Sequence, residues 1–304
     1  MLSERPWKFE AILRLVLSVF VCHFFGTVVV VAIHFVIRGA KENAGFFFGL
    51  VGGCAACSAV ALAVLRKPWE LDRFRRQFAT LLASVYLALT LGAVAQHLAG
   101  KPVLSNPTWH TLAAALSFQG VAIVFVVRFV REHGMRLAEA FGLNERWPMA
   151  LLFGALAAGI FLPVGWLLQT VSAELMSRAH LKMEIQPAVQ ALQHTTTWLD
   201  RVVMAVVAIG IAPVAEELLF RGILYPAIKQ AGFPRVALWG TSLLFAGIHV
   251  NLAIFVPLLL LALVLAQLYE RTGNLLAPIT AHVLFNALNF VGFFYLETQS
   301  KLPA

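Results

Sequence analysis

The stretch Ala212-Pro213-Val214-Ala215-Glu216-Glu217-Leu218-Leu219-Phe220-Arg221-Gly222 sets two adjacent carboxylates and a guanidinium in a run otherwise made of small and apolar residues. A charge at the centre of a membrane helix costs about 2.5–3.5 kcal/mol on insertion scales. Three charges within six residues therefore need partners or a task. On a helix, Glu217 and Arg221 are i,i+4 neighbours with the acid N-terminal, the better order for an ion pair. Glu216 is turned by about 100° from Glu217, cannot fully share that pairing, and is left to point at a water molecule.

Working outward, the whole chain is built like this stretch. Its 304 residues are 60% hydrophobic and only 12% charged, with a mean hydropathy of +0.82, whereas soluble domains carry roughly 25% charged residues. Apolar runs near the roughly 20 residues needed to cross a bilayer recur throughout. The expected fold is all-α: a polytopic transmembrane helical bundle of eight or nine spans. The formal net charge of +8 does not indicate nucleic acid, because the basic residues collect in short loops between apolar runs, the positive-inside pattern.

The expected spans are about 11–37, 45–65, 79–99, 111–130 and 148–171, then about 202–228, 235–250, 252–269 and 276–296. The first is too long for a cleaved signal, and Pro163 and Gly165 mark a kink in the fifth. Basic loops at 66–76 and 128–146, with Lys229 and Glu270-Arg271, place the N-terminus in the cytoplasm. Cys54-x-x-Cys57, beside Gly52, Gly53, Ala55 and Ala56, reads as a small-residue packing face, and Cys22 lies in the first run. His23, His34 and His97 read as packing residues. This divides the chain into N-terminal spans of unknown role (1–171), a segment too polar to span that serves as an interfacial helix or lid (172–200), and a membrane core (201–304).

Polar residues within the last spans are few. Besides Glu216, Glu217 and Arg221 there are His249, in Phe245-Ala-Gly-Ile-His249, and His282, in His282-Val-Leu-Phe-Asn286, with Asn289 beyond. Polar side chains in a span face a cavity or one another, so three helices would converge on a wet pocket. A carboxylate withdrawn from bulk water is a stronger base, a neighbouring imidazole can orient the same water, and a second imidazole with an amide suits an oxyanion. These are the parts of a hydrolase that uses water directly on a carbonyl. No covalent nucleophile stands out: Ser242 lacks a Gly-x-Ser-x-Gly setting. Asn289 reads as a packing hydrogen bonder, and Phe290 to Tyr295 as an interfacial aromatic belt.

Glu216-Glu217-x-x-x-Arg221, Phe245-x-x-x-His249 and His282-x-x-x-Asn286, in that order, resemble the three-motif signature of the CAAX protease and bacteriocin-processing family, which includes type II CAAX prenyl endopeptidases and bacterial Abi-type membrane proteins. The resemblance covers about residues 200–292. It implies a glutamic-type intramembrane endopeptidase with Glu216 as general base, His249 as its partner on the water, His282 and Asn286 as the oxyanion site, and Glu217, Arg221 and Phe245 in support. The implied substrate is a membrane-associated protein or peptide, such as a leader, bacteriocin-like peptide or sorting tail, in a prokaryotic inner membrane. No cofactor is expected: Glu216, His249 and His282 offer three zinc ligands, but His-Glu-x-x-His is absent. Alternatives are a non-catalytic scaffold or immunity protein using the same pocket, and a proton-coupled transporter.

Overall fold

The structure is a computed structural model that describes residues 115–181, 197–249 and 251–300, with isolated positions at 7, 11, 12, 14–16, 19, 112, 189, 192, 193 and 195. The expected spans at 45–65 and 79–99, most of that at 11–37, the cysteines, His23, His34, His97 and His194 lie outside the described residues, whereas the expected span at 111–130 is helical from Leu116 onward. The chain divides into two compact units, Met1–Ile12 with Val126–Ala304, and Leu13–Phe125. The account below concerns the first.

Among the described residues every regular element is a helix: α1 (Val121–Glu132), α2 (Leu137–Ala140), α3 (Trp147–Arg178), α4 (Trp198–Gln230), α5 (Pro234–Gly247), α6 (Leu252–Thr272) and α7 (Leu276–Ser300). Four of them, α3, α4, α6 and the first 19 residues of α7, are long and apolar enough to cross a membrane. The stretch expected as a span at 235–250 is different. Its helix α5 has 14 residues and reaches about 21 Å, short of the roughly 30 Å hydrocarbon core. His249 therefore lies in the turn after α5 rather than on a spanning helix.

Helix α3 is apolar all round, and residue size sorts its faces. Ala150, Gly154, Ala158, Phe161 and Gly165 are buried, while Leu152, Leu156, Ile160, Val164, Leu167, Val171 and Leu175 are exposed. Small residues let membrane helices approach closely, and bulky ones fit a lipid-facing stripe. At Gly154 the approach is extreme, since an added Cβ would lie 2.5 Å from the Ala277 carbonyl oxygen of α7. Phe161 continues the contact into a cluster with Leu261, Leu265 and Ala281 that ties α3, α6 and α7 together. The helix runs unbroken through Pro163 and extends to Arg178, so residues 172–178 of the polar segment are its last two turns.

Helix α4 begins with a capping box in which the Thr197 hydroxyl accepts from the Asp200 amide at 3.1 Å and the Thr197 amide donates to the Asp200 carboxylate at 3.3 Å. Its path is α-helical except for π-helical stretches at Val206–Ile211 and Leu218–Leu224. Each is followed two residues later by a proline, Pro213 and Pro226. A proline removes one amide donor and crowds the carbonyl four residues back. The wider π turn is a common local answer, and such turns concentrate at functional sites.

One end of this unit holds four basic residues. The Asn274 side chain donates to the Glu145 carbonyl at 2.7 Å, and the Leu275 amide to that of Phe141 at 3.0 Å. These bonds join the α6–α7 turn to the loop before α3, while Lys229 of α4 pairs with Glu270 of α6. Arg146, Lys229, Arg235 and Arg271 thus sit at the same end.

Candidate active site

The two acids of α4 have different surroundings. Glu217 is fully buried. Its Oε1 accepts from Arg221 Nη1 at 2.7 Å, the i,i+4 pair expected from spacing, and from His282 Nδ1 of α7 at 2.9 Å. Arg221 is 1% exposed; its Nη2 donates to the Ala262 carbonyl of α6 at 3.1 Å, and its guanidinium lies 4.8 Å from the centre of the Phe245 ring. A cation over an aromatic face is further stabilised when desolvated. One ion pair therefore joins α4, α5, α6 and α7.

Glu216 retains partial access, with its side chain 14% exposed. His282 Nε2 is 3.8 Å from its Oε2. Since Glu217 is paired with Arg221 and can only accept, His282 presents Nδ1–H to it, which turns Nε2 toward Glu216. His249 is half-buried and its Nδ1 donates to the Phe245 carbonyl at 2.7 Å, so Nε2 is its free nitrogen. Phe245, which is 0% exposed, spaces the group: its ring centre is 5.0 Å from His249, 5.8 Å from His282 and 5.4 Å from Phe220.

Glu216, Glu217, Arg221, Phe245, His249 and His282 are thus brought together. Asn286 lies one turn beyond His282 and donates through Nδ2 to the Ala208 carbonyl of α4 at 2.8 Å. Asn289 bonds between helices, accepting from Trp166 Nε1 of α3 at 2.9 Å and donating to the Phe285 carbonyl at 2.8 Å. Phe290, Phe293 and Phe294 pack on Leu192 and Met204. Ser242 is fully buried on α5. Among the described residues, no group of three or more His, Cys, Asp or Glu side chains is disposed to hold a metal ion.

Sequence reasoning did not find the partner of Gly222. A Cβ there would lie 2.8 Å from Cε1 of Phe141, so the glycine ending the acid motif is the seat for a buried ring from the α2 turn. Nor did it find the carbonyls of Ala208 and Ala262, since main-chain acceptors carry no letter of their own.

Residues 197–288 match the family model described as Type II CAAX prenyl endopeptidase Rce1-like. This region is similar to the Rce1-like family. It holds α4 through most of α7, and with them every site residue named above. The Uncharacterized protein YpbD of Bacillus subtilis (strain 168) is 36% identical over 78 residues, which make up 24% of this chain and 37% of that protein. The match therefore spans little more than a third of that relative. No solved structure matches. The Rce1-like family is one of proteases, and four apolar helices of spanning length mark an integral membrane protein.

Proposed function

We propose that the chain is a glutamic-type intramembrane endopeptidase, cleaving a peptide bond of a membrane-associated protein or peptide without a metal. The observation that carries this reading is Glu216, partly accessible, with His282 Nε2 3.8 Å from its carboxylate. Glu216 takes a proton from a water, aided by His249 Nε2, as the water oxygen bonds to the scissile carbonyl carbon. The carbonyl π electrons move onto oxygen, where a protonated His282 Nε2 is the donor. The tetrahedral intermediate then collapses as the C–N bond breaks, and the proton held by Glu216 passes to the leaving amine. General acid–base work of this kind contributes typically 10²–10⁴-fold.

The basic end of the unit is proposed to face the cytoplasm, in a prokaryotic inner membrane. Leaders, bacteriocin-like peptides and sorting tails are the proposed substrates. The test compares membrane fractions of wild-type and Glu216→Ala cells for one protein whose terminus changes, and follows its cleavage by both purified enzymes. Loss of cleavage with Glu216→Ala and with His249→Ala, and none with a metal chelator, is expected. Full activity of Glu216→Ala would leave a scaffold that uses the same pocket.

A further inference from the structure

Gly222 closes the acid motif, and what it rests on comes from chain far outside residues 197–288. The Phe141 ring sits where a Gly222 side chain would go, its Cε1 2.8 Å from the place of a Cβ. Phe141 is buried and its main chain is pinned. Its carbonyl accepts from the Leu275 amide at 3.0 Å. The next residue, Gly142 at φ +66°, lies so close to the α6–α7 turn that a Cβ there would be 2.1 Å from the Gly273 carbonyl oxygen. With its backbone fixed and Gly222 against its ring, Phe141 can yield only toward its other neighbours, and Trp7 is one of them. Trp7 is buried as well. Its ring centre is 6.5 Å from that of Phe141, 5.3 Å from that of Phe129 and 6.4 Å from that of His133, within the range where aromatic pairs attract. Phe129 and His133 back the indole as a unit, 4.3 Å apart and joined by the bond from His133 Nδ1 to the Phe129 carbonyl at 2.8 Å.

The place of Gly222 matters because of its neighbour. Arg221 and Gly222 lie together in the Leu218–Leu224 π stretch. Arg221 holds Glu217 Oε1, and the same oxygen holds His282 Nδ1, which turns His282 Nε2 toward Glu216. Close-packed interiors transmit strain, so a shift at Gly222 is passed to Arg221 and on to Glu217 and His282. We infer that Trp7 and Phe141 are positioning residues: packed together beside Gly222, they hold the Arg221–Glu217–His282 chain where it presents His282 Nε2 to Glu216. Trp7 thereby brings the first residues of the chain into the frame of the site. Both rings act on the reaction through α4.

The test uses the full-length protein in detergent as wild type, Trp7→Ala, Trp7→Phe, Phe141→Ala and Gly222→Ala, with Trp7→Ala also combined with each of the last two. Thermal unfolding reads the contact. Gly222→Ala should lower the unfolding temperature, and by less once Trp7→Ala has made room for the Phe141 ring. An equal drop in both backgrounds means that Trp7 does not confine the ring, and overturns the inference. Peptidase kcat and KM, taken below the lowest unfolding transition, read the positioning. Trp7→Ala should lower kcat about 10-fold at unchanged KM, within the roughly 100-fold that a misplacement of about 1 Å can cost. Trp7→Phe should recover most of that loss, and Trp7→Ala should add nothing to Phe141→Ala. Wild-type kcat in folded Trp7→Ala would make Trp7 a packing residue only, and also overturns the inference. Should Trp7→Ala fail to fold, Trp7→Leu carries both arms with shifts of the same sign. The kinetic arm rests on the peptidase reading, but the unfolding arm does not. Unequal drops in a wild-type and variant set that cleaves nothing would support the frame around Gly222 and sink only the peptidase reading.

Discussion

Two carboxylates of the Rce1-like region make nearly the same contacts at different depths. Glu217 is bonded by Arg221 and His282, and Glu270 by Tyr225, at 3.0 Å, and Lys229. Glu217, Arg221, Tyr225 and Lys229 follow one another at intervals of four along α4, so one stripe of the helix serves both clusters. What differs is water. The Arg221 and Glu217 side chains are 1% and 0% exposed, whereas those of Lys229 and Glu270 are 32% and 24% exposed. The partners alone do not set what an ion pair is worth; the cost of leaving one partner behind does. Inside, a stranded charge has nowhere to go, while at the basic end solvent takes the lost partner's place.

The largest effect should come from breaking the inner cluster on one side. Arg221→Met leaves Glu217 buried without its cation, and removing one partner of a buried pair costs about 3–5 kcal/mol. Chemical unfolding in detergent should show that loss, or no folded protein at all. Glu217→Gln combined with Arg221→Met removes both charges and should be more stable than Arg221→Met alone, a coupling that a double-mutant cycle measures. If the single and double variants are equally unstable, depth does not separate the two clusters.

A smaller effect is expected at the seat between them. Gly222→Ala would set a Cβ 2.8 Å from the Phe141 ring, and overpacking of this kind costs about 1–3 kcal/mol. Phe141→Leu in the same chain should return part of the loss, as read by thermal unfolding. An unchanged unfolding temperature in Gly222→Ala would mean that Phe141 yields freely and that the inner cluster is less rigidly framed than Arg221 requires.

The same contrast explains what could be read from sequence. Glu216, Glu217, Arg221 and His282 were legible because a charge or an imidazole in an apolar run is costly enough to demand a partner, and the i,i+4 interval named Arg221 for Glu217. That His282 would also bond Glu217 was not legible, because it depends on how α7 crosses α4. A break before residue 252 was legible, but the end of α5 was placed at 250 and not at Gly247, because Gly247-Ile248 continues the apolar run as far as His249. The stop is local: Asn251 caps α6, its side chain accepting from the Ala253 amide at 3.0 Å. The two π stretches left only their prolines as a mark, and a proline in a helical pattern reads first as a kink.

The smallest effect belongs to the outer cluster. Glu270→Gln removes the charge facing Lys229 but keeps an oxygen that can accept from the Tyr225 hydroxyl. Partly exposed ion pairs are worth about 1 kcal/mol or less, and Lys229 released at this end reaches water. The variant should therefore unfold within a few degrees of wild type, and the difference should shrink as salt is raised, because exposed charges are screened. A loss as large as that of Arg221→Met, unmoved by salt, would place Lys229 and Glu270 in surroundings as dry as those of Glu217. The stripe on α4 would then be one continuous buried network, and the acid motif would draw its rigidity from the far end of the helix as well as from α7.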